Sequence, residues 1–158
     1  MSKLTHLNAQ GDARMVDVST KPVQLREAVA RGEIRLARET LRLVESDQVA
    51  KGNVLATARI AGILAAKRTG DLIPLCHPLA LSHCQVEFTI PASRDRIVIT
   101  GRARINAQTG VEMEALTAVQ VGLLTVYDMC KAADRGMVME GIRVLEKRGG
   151  KSGEWRAQ

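Results

Sequence analysis

Aromatic side chains are nearly missing from this chain of 158 residues, which holds one Trp, one Tyr and one Phe. Proteins that grip single-stranded nucleic acid stack bases on aromatic faces, so a formal net charge of +6 does not by itself imply such a partner. A small polyanionic substrate fits the same charge. Cysteine is also sparse: Cys76, Cys84 and Cys130 stand outside any C-x-x-C motif, which argues against a disulfide framework and for a reducing compartment. No run reaches the roughly 18 uncharged apolar residues of a membrane span, and Met1–Arg14 contains no apolar signal core. There is no dinucleotide glycine fingerprint, iron–sulfur ligand set or H-E-x-x-H signature either. The expectation is a soluble, cytoplasmic protein with no membrane and no nucleic-acid partner.

What is present is an ordinary globular composition, 46% hydrophobic and 25% charged, at a length suited to one domain with an aliphatic core. Residues 1–14 are polar and aperiodic and are expected to be mobile, leaving a single domain over 15–158 that ends in a basic, glycine-rich tail. Met15–Val18 reads as a short strand and Val23–Leu36 as extended chain. Ala37–Val44 reads as a short helix, its apolar residues at helical spacing. Gly52–Ala66 is apolar nearly all round and predicts a helix buried on most sides. Gln85–Ile90 and Arg96–Ile105 alternate like strands, joined by a turn at Pro91–Asp95. A long helix over Met113–Ala133 and a basic strand over Ile142–Lys147 follow. The pattern predicts an α+β sandwich, with helices on one face of a mainly antiparallel sheet and Glu87, Thr89 and arginines on the other.

The long helix is the most informative element. Glu114, Thr117, Thr125, Asp128 and Lys131 share one polar stripe, away from Leu116, Val119, Leu123 and Val126. A solvated face with an exposed Asp–Lys pair, worth a few tenths of a kcal/mol, is the plain reading. The alternative is a chemically equipped face, since Tyr127 and Cys130 flank isolated charges in an apolar setting able to shift their pKa values. Glu114 and Asp128 stand 14 positions apart, about 21 Å along a helix at about 1.5 Å per residue. One small ligand does not easily touch both, so if both ends act, a second subunit packed antiparallel across a two-fold axis supplies one of them.

His77 sits in Ile73–Leu79, a loop stiffened by Pro74 and Pro78. It is either a backbone-satisfied loop histidine or a group that binds ligand or moves protons near neutral pH. Cys76-His77 and His83-Cys84 invite a zinc reading, but they lack knuckle spacing, and His83 and Cys84, adjacent on a strand, point to opposite faces; no metal site is assigned. Cys76 and Cys130 lack a nucleophile signature, leaving buried small thiols as the plain reading. Lys51 precedes the buried helix, where the macrodipole disfavours a cation. Gly149-Gly150-Lys151-Ser152-Gly153 imitates the end of a phosphate-binding loop but lacks the required earlier glycine and following helix. Backbone N–H groups there can still wrap a phosphate.

The runs MVDVS (Met15–Ser19), ATARIAGILAAKRTGDLIPLCHPL (Ala56–Leu79), TGVEMEALTA (Thr109–Ala118), TVYDMCKA (Thr125–Ala132) and GGKSG (Gly149–Gly153) together closely resemble the cyclic pyranopterin monophosphate synthase family, the molybdenum cofactor biosynthesis protein C family. The resemblance extends over nearly all of Met15–Gly153. It implies a ferredoxin-like sandwich assembled as a hexamer of three dimers, with sites between subunits. The implied activity is that of a lyase that converts a cyclic dihydro-GTP into the pterin product, cyclic pyranopterin monophosphate, with release of pyrophosphate and no redox change. It implies no required cofactor, with Mg²⁺ at most accompanying the substrate triphosphate.

Carried over position by position, the resemblance makes Asp128, Lys131 and Lys51 catalytic, the two lysines moving protons with pKa values lowered by burial or by each other, and Asp128 orienting Lys131 or acting as base. Leu75, Cys76, His77, Met113 and Glu114 correspond to substrate-binding segments, with Glu112 and Arg26 as further contacts. Arg148, where a small polar residue is expected, and the loosely matched Val23–Leu36 are departures that bear on the tail and on Arg26. Two rivals stand beside this reading. A nucleic-acid module would lose affinity steeply with salt, and an inert assembly protein would not need Lys51, His77, Asp128 and Lys131 together.

Overall fold

The computed structural model describes residues 6–158. Its elements run β1 (Gln24–Arg35), α1 (Arg38–Glu45), α2 (Val54–Ala66), α3 (Thr69–Leu72), β2 (His83–Thr89), β3 (Arg96–Ala107), α4 (Glu112–Cys130), β4 (Val138–Arg148) and β5 (Trp155–Arg156). The sheet order is β2-β3-β1-β4-β5, and all of its pairings are antiparallel. A β-α-β-β-α-β chain order with β1 and β3 central is the ferredoxin-like arrangement. The alternation along each strand divides the two faces: Ala28, Ala30, Ile34, Ile97, Ile99, Ala103 and Val86 are buried beneath the helices. The open face carries an ion-pair lattice in which Glu27, 8% exposed, accepts from Arg102 at 2.9 Å and from Arg104 at 2.7 Å.

Glycine sets how closely α4 approaches. A Cβ at Gly32 would lie 2.8 Å from Val119 Cγ1, and one at Gly101 would lie 2.9 Å from the Ala115 carbonyl oxygen, so α4 rests almost directly on the backbones of β1 and β3. The same device brings α2 against α4, where a Cβ at Gly62 would stand 2.7 Å from the Ala118 carbonyl oxygen. The turn after α4 is tied to α1 by Asp134, whose carboxylate accepts the Ala37 N–H at 2.9 Å and the Thr40 hydroxyl at 3.3 Å. These contacts fix both ends of α4 in space.

Two local expectations are corrected. Met15–Val18 is not a strand: it has no neighbouring strand to pair with, and the Val16 carbonyl is occupied by a histidine side chain. Helix α2 is not buried on most sides. Val54, Ala58, Gly62, Ala65 and Ala66 face the core, while Ile60 and Leu64 are 60% and 50% exposed. Of the opening segment, residues 1–5 lie outside the described residues. Residues 6–14 contain a tight loop, with Leu7 bridging Ala13 and Asn8 Oδ1 accepting the N–H groups of Gln10 and Asp12.

Candidate functional site

A cleft of about 510 Å³ opens at the N-terminal end of α4. Its floor is the first turn of that helix, with Glu112, Met113 and Glu114; one wall is the loop bearing Leu75, Cys76 and His77; and the other is a strap that contributes Val16, Val18 and Lys21. Six of the seven proposed substrate contacts thus converge from two distant segments. The proline-bounded loop can fold against α3 because Gly70 has no side chain, and a Cβ there would lie 3.1 Å from Pro78 Cα. His77 Nε2–H donates to the Val16 carbonyl at 2.7 Å, which puts the neutral ring's proton on Nε2 and locks the loop to the strap.

Glu114 is only 3% exposed. Burial, reinforced by the neighbouring Glu112 charge, pushes its carboxyl up to about 7, so near neutral pH it is poised between acid and base. Glu112 is held instead by Lys147 at 2.8 Å. Burial, with a contribution from Glu114, raises the Cys76 thiol, and burial raises Cys130 too, with Asp134 adding to it. Both shifts run against an activated thiolate. The long stripe on α4 is correspondingly not one solvated face: Glu114 and Thr117 are buried, and only its far end is open to solvent.

That far end gathers Lys51, Asp128 and Lys131. Asp128 accepts from Lys131 at 2.8 Å and from Lys51 at 2.8 Å on its two oxygens. The hydrogen bond from Lys131, followed by that from Lys51, lowers its carboxyl to about 2. Lys51 Nζ also donates to the Asp128 backbone carbonyl at 3.1 Å. The cation that looked misplaced ahead of α2 therefore serves the C-terminal end of α4, where the macrodipole favours it. The N-terminus of α2 is capped separately, by Asn53 Oδ1 accepting the Ala56 N–H at 2.8 Å. The expectation of lysines shifted downward is corrected at Lys131. Its side chain is 52% exposed, and the hydrogen bond to Asp128 holds its ammonium above the ordinary lysine range.

Arg26 joins neither cluster. From β1 it donates to the Ala107 carbonyl at 3.2 Å and the Gln108 carbonyl at 3.3 Å, beneath the turn at Gly149 and Gly150. Those two residues have φ of +90° and +85°, and side chains there would collide with Leu25 and Arg26, so the glycines serve close packing of the tail. Among the described residues no three His, Cys, Asp or Glu side chains gather closely enough to hold a metal ion, and no helix is long and apolar enough to cross a membrane. Lys147, Lys21 and Gln108 were not legible as site neighbours, because each reaches the cleft region through sheet register or strap path rather than through any periodic pattern.

Within one chain the cleft and the lysine–aspartate cluster remain at opposite ends of α4, about 21 Å apart from Glu114 to Asp128. Comparison with known proteins is consistent over the whole length. The model of the MoaC family matches residues 15–150. Among curated relatives, a cyclic pyranopterin monophosphate synthase of Novosphingobium aromaticivorans is 59% identical over 157 residues, covering 99% of this chain and 99% of that one. The protein of the same name from Heliobacterium modesticaldum is 56% identical over 98% of both chains. That of Chloroflexus aggregans is 54% identical over 100% of this chain and 96% of its own.

Proposed function

The chain belongs to the MoaC family, and from that premise we propose that the cleft and the Lys51–Asp128–Lys131 cluster are the two halves of one active site. The enzyme is a lyase of molybdenum cofactor biosynthesis, converting (8S)-3′,8-cyclo-7,8-dihydroguanosine 5′-triphosphate to cyclic pyranopterin monophosphate with release of pyrophosphate. The observation that carries this reading is the convergence of Leu75, Cys76, His77, Glu112, Met113 and Glu114 on a single cleft.

The reaction rebuilds rings, closes a cyclic phosphate as a sugar hydroxyl takes the α-phosphorus, and expels pyrophosphate. It needs a base for that hydroxyl proton, an acid for the rings, and cations facing the phosphates. Lys131, held protonated by Asp128, enters as an acid and a cation; once its proton is given up, the same amine returns as a base. Lys51 shares Asp128 and adds the second positive charge. Glu114, near its midpoint at neutral pH, can accept or donate at the base end of the substrate. No oxidation state changes, so the chemistry calls for no redox cofactor, and Mg²⁺ enters solely as a companion of the triphosphate.

A second copy of the chain closes the 21 Å gap. Ile60, Leu64, Leu72 and Leu124 are 60%, 50%, 57% and 55% exposed along the outer side of α2, α3 and α4, an apolar patch of the kind that marks an interface. Antiparallel pairing there about a two-fold axis puts the Glu114 end of one α4 near the Lys131 end of the other. Three such dimers make the hexamer that the family resemblance implies, in the cytoplasm. Leu124→Asp is expected to reduce the hydrodynamic size of the particle and abolish turnover with the far-UV circular dichroism unchanged. An unaltered particle size would count against this interface.

The functional reading itself is tested by mixing the purified protein with the cyclic dihydro-GTP under anaerobic conditions. Stoichiometric pyrophosphate and pterin product are expected. A folded oligomer that releases neither would overturn it.

A further inference from the structure

We propose that Asp134 is a positioning residue for the lysine–aspartate cluster, holding the turn that carries Lys131 in place relative to Lys51 through a tie to α1; the inference rests on the catalytic reading of Lys131 given above. The two lysines come from distant parts of the chain and meet on Asp128. Behind that contact they are joined a second time. Lys51 follows the C-terminal end of α1, while the N-terminal end of α1 is held by Asp134, in the turn just beyond Lys131. A closed ring results, running from Lys51 back along α1, across Asp134 to the turn after α4, and through Asp128 to Lys51 again. The helix is its spacer, 8 residues long, or about 12 Å at about 1.5 Å per residue. It is firmly seated, since Leu41 and Val44 are 0% and 4% exposed.

Asp134 makes this tie with both carboxylate oxygens. Oδ2 accepts the Ala37 N–H at 2.9 Å and the Thr40 hydroxyl at 3.3 Å, and Oδ1 closes its own turn on the Gly136 N–H at 3.0 Å. Ala37 offers α1 no side-chain cap, so a carboxylate from 97 residues away stands at the positive end of the helix dipole, where a negative charge is favoured. Lys131 needs such outside support. It is the C-cap of α4: its N–H still reaches the Tyr127 carbonyl at 2.9 Å, but the chain beyond it is a turn rather than helix. That turn has one brace from its own helix, the Tyr127 hydroxyl donating to the Arg135 carbonyl at 3.2 Å, and one from outside, Asp134. Loss of the outside brace frees the Lys131–Gly136 backbone to drift from Asp128, and the ammonium drifts with it. The donors that Asp134 accepts are uncharged, so its effect on Lys131 runs through the backbone rather than through an ion pair.

The test measures kcat and KM for the cyclic dihydro-GTP on the full-length protein. The same samples are labelled at pH 8 with limiting acetic anhydride, and acetylation of Lys131 is read by mass spectrometry against that of Lys151 in the tail. Asp134→Ala is expected to lower kcat by at least about tenfold, short of the roughly 10²-fold that a 1 Å misplacement can cost, with KM changed by less than about threefold. Its Lys131 is expected to label a few-fold faster than in the wild type, because the hydrogen bond to Asp128 that holds the ammonium above the ordinary lysine range is loosened. Ala37→Pro cuts the same tie from the other side, since proline fits the Ala37 φ of −63° and removes the N–H that Asp134 accepts. Both effects should recur there with the melting transition little changed, and the double variant should be no worse than Asp134→Ala alone, because the two residues act through one contact. Variants that melt earlier but keep wild-type kcat and Lys131 labelling would make the tie merely structural and overturn the proposal, as would losses that add in the double variant. A wild-type protein that makes no product overturns the enzymatic reading, and labelling then decides alone: faster labelling in Asp134→Ala leaves the hold on Lys131 standing, and equal labelling overturns it too.

Discussion

Lys131→Ala should lower turnover by about 10²- to 10⁴-fold, the range that follows loss of a positioned acid–base group, while the melting transition stays where it is. The side chain is 52% exposed and its structural partner in the chain is Asp128, one helical turn away and 54% exposed. Open ion pairs of this kind contribute little to folding, and Asp128 keeps Lys51 as a partner at 2.8 Å when Lys131 is gone. Loss of activity without loss of fold therefore separates chemistry from structure at this position. A folded Lys131→Ala protein with wild-type turnover would remove the lysine from the reaction. Measuring kcat and KM together adds a second discriminant, because an ammonium that merely attracted the triphosphate would act mainly on KM.

Glu114→Gln should stabilise the protein above neutral pH and leave it unchanged in acid. The carboxyl is 3% exposed and ionises at about 7 in the folded chain against an ordinary 4.5, so the folded state holds the proton more tightly than the unfolded one. A pKa raised on folding gives a contribution that is fully present below pH 4.5 and is lost as pH rises through about 7. Above that point the wild type carries a buried carboxylate that an isosteric amide avoids, a difference of about 3 kcal/mol. Urea midpoints at one protein concentration, taken at pH 5 and pH 8, should converge in acid and separate in base, with the variant the more resistant. Parallel curves at both values would mean that Glu114 titrates normally and that its burial does not tune it.

The β2 strand was legible because Val86 and Phe88 alternate with Gln85, Glu87 and Thr89, β3 from its β-branched run Ile97-Val98-Ile99-Thr100, and the hairpin turn from Pro91 through Asp95. β1 was harder, since Ala28, Ala30 and Gly32 offer little hydrophobic contrast; they are small because α4 lies so close above them. Neither periodicity nor charge revealed where the Lys51 ammonium goes. Its place is set by the tertiary approach of the Lys51–Asn53 turn to the end of α4, a contact 77 residues distant. Ile60 and Leu64 look like core from their composition, and the single chain leaves them open. Motif resemblance, rather than spacing, supplied the grouping of Leu75–His77 with Glu112–Glu114, and the cleft now accounts for that grouping physically. In the single chain the Arg26 guanidinium donates to the β3–α4 connection, at the Ala107 and Gln108 carbonyls.

The claim on which the rest depends is that two ends of α4, from two chains, make one site. Subunit exchange between two inactive variants tests it directly, one lesion in each half: Lys131→Ala and His77→Ala. In a mixed dimer one composite site carries both lesions and the other carries none, so activity should return to roughly a quarter of the wild-type value after random exchange. A mixture that exchanges subunits and stays inactive would contradict a shared site and confine the whole reaction to a single chain.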